Sequence, residues 1–241
     1  MANFRQTGLG LPGFPPVIKW LVIINVAVWL LEVFSGSGGW MIDFFALHDI
    51  RSSLFKPHQF ISYMFLHEAR DGAGNIVFAH IFFNMFALWM FGNTLENFWG
   101  SKRFLNFYVI CGIGAVVINM IIMYFHNTSL LNHYQDAIDP DTGIPFRTEV
   151  LDVPLLGASG AIFGVLVAFG YTFPNTEMII IPIPFPIKAK WIVTGYVLIE
   201  LFAGVRGTPG DDVAHYAHLG GGLVGFLLVY IWNKTNRRDF Y

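Results

Sequence analysis

The chain has 241 residues, of which 55% are hydrophobic and only 12% charged, where a soluble domain carries about a quarter charged residues. That deficit, with several long uncharged runs, predicts a polytopic membrane protein rather than a water-soluble globule. A net charge of −2 leaves no basic footprint for nucleic acid, and one cysteine, Cys111, excludes an internal disulfide.

Taken in order, the runs predict an all-α bundle of six transmembrane helices forming a single domain over 1–241. The N-terminus opens on Gly- and Pro-bearing residues rather than a cleavable signal, so the first span acts as an uncleaved one. That span covers about 17–34, with Lys19 and Glu32 at its ends, within reach of the interface. Residues 35–75 form a long outer segment whose Trp40, Phe44 and Phe45 are expected to rest in the interfacial belt. His48 and His67, in the same segment, are expected to face the interface or loop water. The second span covers about 76–98 and the third 104–125. A polar outer segment, 126–154, carries the turn-like Asp139-Pro140-Asp141-Thr142-Gly143. Span four, 155–173, has no charged side chain, a length suited to a bilayer core. In 179–186 alternate prolines forbid a helix interior, which predicts a loop lying against the membrane. Span five covers about 187–204, with Lys188 and Lys190 at one end and Glu200 near the other. Span six covers 213–232, and 233–241 is a short cytoplasmic tail.

Basic residues set the orientation. With both termini inside, Arg5, Lys19, Lys102, Arg103, Lys188, Lys190, Lys234, Arg237 and Arg238 are cytoplasmic. Arg51, Lys56, Arg70, Arg147 and Arg206 lie outside, a bias in the direction of the positive-inside rule.

In this topology spans two, four and six run from outside to inside, and each carries polar groups soon after its outer end. These are His80 and Asn84, Ser159, and His218. At about 1.5 Å of rise per residue they fall at one depth, and intramembrane polar groups are costly enough for that coincidence to carry meaning. Ser159, at the first turn of its helix between Gly157 and Gly160, lies beside free N–H groups able to hold a developing oxyanion. His80 and Asn84 project from one face, being four apart. His218, Gly221, Gly222 and Gly225 share a face, and Gly160 and Gly164 form a matching one. If those glycine faces meet, the Ser159 hydroxyl reaches the His218 ring, the arrangement of a serine activated by a base. His80 and Asn84 would then donate to the oxyanion beside the Ser159 N–H. Taken alone, Ser159 or Asn84 would more often be helix-packing residues and His80 a structural hydrogen-bonder. His215 is a rival base without a glycine face behind it. Asp211 and Asp212 invite a triad but belong to the 206–212 segment, so a dyad is expected. No His-Glu-x-x-His occurs, and the histidines do not meet carboxylates at ligand spacing in sequence, so no metal site is expected.

Gly157-x-Ser159-Gly160, His80-x-x-x-Asn84 and Ala217-His218-x-x-Gly221-x-x-x-Gly225 together resemble the rhomboid intramembrane serine proteases, over about 17–232. The resemblance implies Ser159 as nucleophile, His218 as base without a third acid, and His80, Asn84 and the Ser159 amide as oxyanion site. It implies cofactor-free cleavage of transmembrane segments in other membrane proteins, with lipid and such segments as partners. It also implies a membrane-embedded first loop at 35–75, and a movable gate in span five with 206–212. The expected location is a bacterial inner membrane. Two departures stand out. The Trp-Arg pair of many relatives' first loop is absent, and Phe163 replaces a tyrosine under the base, keeping a ring to pack on His218 without its hydroxyl. The alternative function is a catalytically silent rhomboid-like protein that binds and escorts transmembrane helices. A transporter would instead carry charged side chains near the midplane of broken spans.

Overall fold

The computed structural model describes residues 14–35, 39–134, 137–179, 185–206 and 212–235. Helix α1, Pro16–Phe34, starts with proline at its first position, where no N–H donor is needed. Its next free N–H groups, of Val17 and Ile18, each donate at 2.9 Å to the buried carboxylate of Glu96, which also accepts from Ser101 at 2.7 Å. A side chain nearly eighty residues away thus caps α1. Glu32 was expected near the interface. It is instead 3% exposed and accepts the His67 N–H.

The segment between the first two predicted spans packs much of its length into the protein. It contains α2, Gly39–Phe45, α3, Gln59–Ser62, and a 3-10 turn, Tyr63–Phe65. Trp40 and Phe44 stay exposed, but Gln59, Tyr63, Met64, Leu66, His48 and His67 are buried. His48 and His67 therefore do not face water, contrary to expectation. The segment ties itself down by hydrogen bonds that hydropathy does not register. The Gln59 amide donates to Leu54 O, and the Tyr63 hydroxyl donates to Gly112 O, both at 2.9 Å. Arg51 forks onto Asp49 at 2.7 and 2.8 Å, donates to Thr128 Oγ1 at 2.8 Å, and lies over the Tyr124 ring. Asn127 donates to the same carboxylate at 3.0 Å. This network anchors the first loop without a Trp-Arg pair.

The second predicted span is α4, Ala79–Ala87, a π turn over Leu88–Gly92, and α5, Asn93–Trp99, in unbroken succession. Gly100, at φ 83°, turns the chain directly into α6. Helix α6, Ser101–Tyr134, has 34 residues, far beyond the predicted 104–125. At about 1.5 Å per residue it is about 51 Å long, longer than a hydrocarbon core of about 30 Å, and its C-terminal part meets the first loop. The polar segment after it contains the Asp139–Gly143 turn, with Gly143 N–H donating to Asp139 O at 2.8 Å, and α7, Phe146–Leu151.

Helix α8, Ser159–Thr172, starts four residues later than expected, because Leu155 is held in an isolated bridge to Leu47 and Gly157, at φ 120°, breaks any helix before it. After it, the two-residue strands β1, Glu177–Met178, and β2, Ile187–Lys188, pair antiparallel. The proline-rich loop expected between them lies mostly outside the described residues. Helix α9, Ala189–Arg206, and helix α10, Asp212–Thr235, complete the bundle. The tail beyond Thr235 and Asp211 are outside the described residues, as is the Asp212 side chain.

Helix α8 is the hub, buried along nearly its whole length and packed on α10, α6 and α9. The outer helices turn large apolar side chains outward, among them Phe83, Phe125, Ile199, Phe202 and Val205, each more than 60% exposed. Water would penalise such a surface and lipid would not. Among the described residues, α1 and α6 are long and apolar enough to cross a bilayer alone, while α8 is apolar but has only 14 residues. Length and apolarity thus do not give the predicted count of six crossings.

Candidate active site

The approach to Ser159 is held by the first loop. Leu47 and Leu155 exchange backbone hydrogen bonds of 2.9 and 2.8 Å, and Gly157 N–H donates to Tyr63 O at 2.9 Å. Gly157 has φ 120°, and a Cβ there would sit 3.2 Å from His80 Nε2. Both facts call for glycine. This pinned segment delivers half-buried Ser159 as the first residue of α8, where the first-turn N–H groups have no partner within the helix.

Opposite stands α10. A Cβ on Gly221 would overlap the Gly160 carbonyl oxygen, and one on Gly225 would lie 2.8 Å from Gly164 Cα. The two backbones are therefore in contact, which side chains at these positions would prevent. That approach brings His218 Nε2 to 2.8 Å from Ser159 Oγ. The Phe163 ring lies parallel to the imidazole, with centroids 5.7 Å apart and planes at 11°. Gly157, Gly160, Gly164, Phe163, Gly221 and Gly225 thus all sit at or behind the Ser159–His218 meeting point.

His80 reaches the same space from α4. The Glu68 backbone N–H donates to His80 Nδ1 at 3.3 Å. An accepting Nδ1 carries no proton, so the ring's hydrogen sits on Nε2. Nε2 is the nitrogen beside Gly157, within 4 Å of the same point as Ser159 Oγ, so His80 presents a donor there. Asn84 is different. Its amide donates to its own helix at His80 O, 3.0 Å away, and among the described residues no hydrogen bond joins it to Ser159.

The structure adds a group that sequence reasoning left at a span end. Glu200 Oε2, on α9, lies 2.7 Å from His215 Nδ1 and 3.0 Å from His218 Nδ1. The second approach is off the N–H line, so His218 Nδ1 makes a charge contact without a formed hydrogen bond. His215, the rival base, is engaged by Glu200 rather than by Ser159. Glu200 is six residues from Arg206 at the end of α9, and His218 six from Asp212 at the start of α10. In antiparallel neighbours those counts set both at one depth, a signal available in the sequence. The expectation that no carboxylate meets the histidines is corrected accordingly. Glu200, His215 and His218 bring their ligand atoms within 4.8 Å of one another, the one such cluster among the described residues. Glu200 and His215 satisfy one another by a hydrogen bond, while His218 Nδ1 has only the close approach of Glu200.

A helical bundle clad in apolar side chains, with a serine and a histidine joined inside it, defines an integral membrane protein built around a buried polar site. The Rhomboid domain matches residues 55–235. The chain belongs to the rhomboid family. It is similar to Rhomboid protein 1, mitochondrial, of Saccharomyces cerevisiae, 29% identical over 66% of this chain and 39% of that protein. It is also similar to Rhomboid-like protein 11, chloroplastic, of Arabidopsis thaliana, 25% identical over 90% of this chain and 65% of that protein. Rhomboid protease GluP of Bacillus subtilis is 27% identical over 63% of this chain and 23% of its own length. The chain thus spans less than two thirds of each of these relatives. Two of the three are organellar by name, which gives the expected bacterial inner membrane no support.

Proposed function

We propose that the protein is an intramembrane serine endopeptidase that cleaves transmembrane segments of other membrane proteins. The observation that carries this reading is the 2.8 Å contact between Ser159 Oγ and His218 Nε2 at the N-terminus of α8. In this reading Ser159 Oγ attacks the scissile carbonyl carbon while its proton passes to His218 Nε2. The oxyanion is held by His80 Nε2–H and the Ser159 N–H, with Asn84 joining after its amide leaves the helix backbone. The C–N bond then breaks, and the His218 proton leaves with the amine. Water repeats the sequence on the acyl-enzyme, releasing the acid and restoring Ser159. No cofactor or metal enters.

Six spans with both termini cytoplasmic are the topology that fits, supported by the basic residues counted above and by helices on all six predicted runs. The 14 residues of α8 cover about 21 Å of a hydrocarbon core of about 30 Å. Ser159 then lies below the outer surface, where a substrate helix must unwind locally to offer a carbonyl, favouring cuts near small or helix-weakening residues. The test is cleavage of a labelled single-span protein by purified enzyme in detergent and in liposomes. Ser159→Ala is expected to lower the rate at least about a thousandfold. Cleavage undiminished by that change would refute the nucleophile assignment.

A further inference from the structure

We propose that Glu200 is a positioning residue for the base, holding His218 from α9 in the tautomer that leaves Nε2 free to take the Ser159 proton. This rests on the protease reading above and extends its two-residue machinery to a third helix.

The argument is geometric. Ser159 Oγ and Glu200 Oε2 lie at the two opposite nitrogens of the His218 ring, 2.8 Å from Nε2 and 3.0 Å from Nδ1. A neutral imidazole carries one proton, and only the form with that proton on Nδ1 leaves Nε2 able to accept from a hydroxyl. A carboxylate beside Nδ1 favours that form, and it stabilises the imidazolium created when Nε2 takes the serine proton. Glu200 itself keeps its charge, and no further bond forms or breaks. The present contact is off the hydrogen-bond line because Oε2 already bonds His215 Nδ1 at 2.7 Å.

Glu200 reaches the site from its own element. Helix α9 packs mainly on α10 and α8, and Tyr216 on α10 latches it by donating to Gly204 O at 2.8 Å. The orientation of the base therefore depends on where α9 sits. The groups facing His218 are Glu200 from α9, His215 from α10, His80 from α4, and the Ser159 hydroxyl and Phe163 ring from α8.

The experiment compares wild type, Glu200→Gln, Glu200→Asp and His215→Ala in detergent, reading kcat, KM and the rate of fluorophosphonate labelling. Glu200→Gln is expected to lower kcat at least about tenfold with KM nearly unchanged, and to slow labelling by a similar factor. Glu200→Asp should recover part of both rates, which a merely structural role for the side chain would not produce. Should Glu200→Gln fail to fold, His215→Ala carries the test: it leaves Glu200 to His218 alone and is expected to raise kcat about twofold or more with KM nearly unchanged. Wild-type kcat and labelling in Glu200→Gln, or a kcat not raised in His215→Ala, overturns the proposal. Wild-type protein that neither cleaves nor labels would instead overturn the protease reading itself.

Discussion

At His80 and His218, the nitrogen turned away from Ser159 decides what the facing nitrogen can do. The Glu68 N–H makes His80 Nε2 a donor, and the carboxylate of Glu200 favours His218 Nε2 as an acceptor. Two rings of one residue type thus take opposite roles from their off-site partners. His80→Ala is expected to lower kcat by about a hundredfold or more, the usual effect of losing an oxyanion donor. Substrate cleavage by the folded variant checks this, and an unchanged kcat would remove His80 from the site. Ser159, His218 and the glycines behind them were legible because polar and small residues interrupt otherwise apolar runs. For Glu200 only the depth shared with His218 could be counted from the helix ends; the contact itself could not, because it depends on how α9 docks. The commitment of Asn84 to its own helix was equally invisible, since spacing gives the face a side chain shares and not the partner it chooses.

Among the elements, α8 and α10 meet backbone to backbone, and α1 borrows its cap from α5. Gly221→Ala would force a methyl onto the Gly160 carbonyl, at a cost of about 1–3 kcal/mol, as overpacking usually brings. Gly195→Ala on α9 is the control, with open space around it, and should be neutral or slightly stabilising. Thermal unfolding in detergent separates the two. Glu96→Ala leaves two helix-start N–H groups without their acceptor and should destabilise by about 1–3 kcal/mol in the same assay. The approximate positions of the helices followed from apolar runs. The late start of α8 and the extra length of α6 did not, because each is set by partners distant in sequence. Leu47 extends residue 155 into a bridge, and the outer end of α6 is held by Asp49 and Arg51.

Over the whole molecule, the first loop is the part least legible in the sequence and the one on which the site leans most, because it pins the segment before Ser159. Its anchor is polar and titratable. Burial alone would push the Asp49 carboxyl up, but the Arg51 side chain and N–H and the Asn127 amide outweigh it and hold it below the ordinary aspartate range. A carboxyl that binds its proton less tightly folded than unfolded adds stability above its unfolded pKa, about 3.9. That stability is lost as pH falls through the lower folded value. The Tm gap between wild type and Asp49→Asn should therefore be constant from neutral pH to about pH 5 and shrink near pH 3. A gap independent of pH would show that the carboxylate's charge does not anchor the loop. The central claim is that Ser159 and His218 form one reactive pair inside this anchored bundle. Its most direct test is mass-spectrometric mapping of a fluorophosphonate adduct on detergent-purified protein. The account predicts a single adduct, on Ser159, that disappears in His218→Ala. No adduct on the folded wild type, or one on another residue, would contradict it.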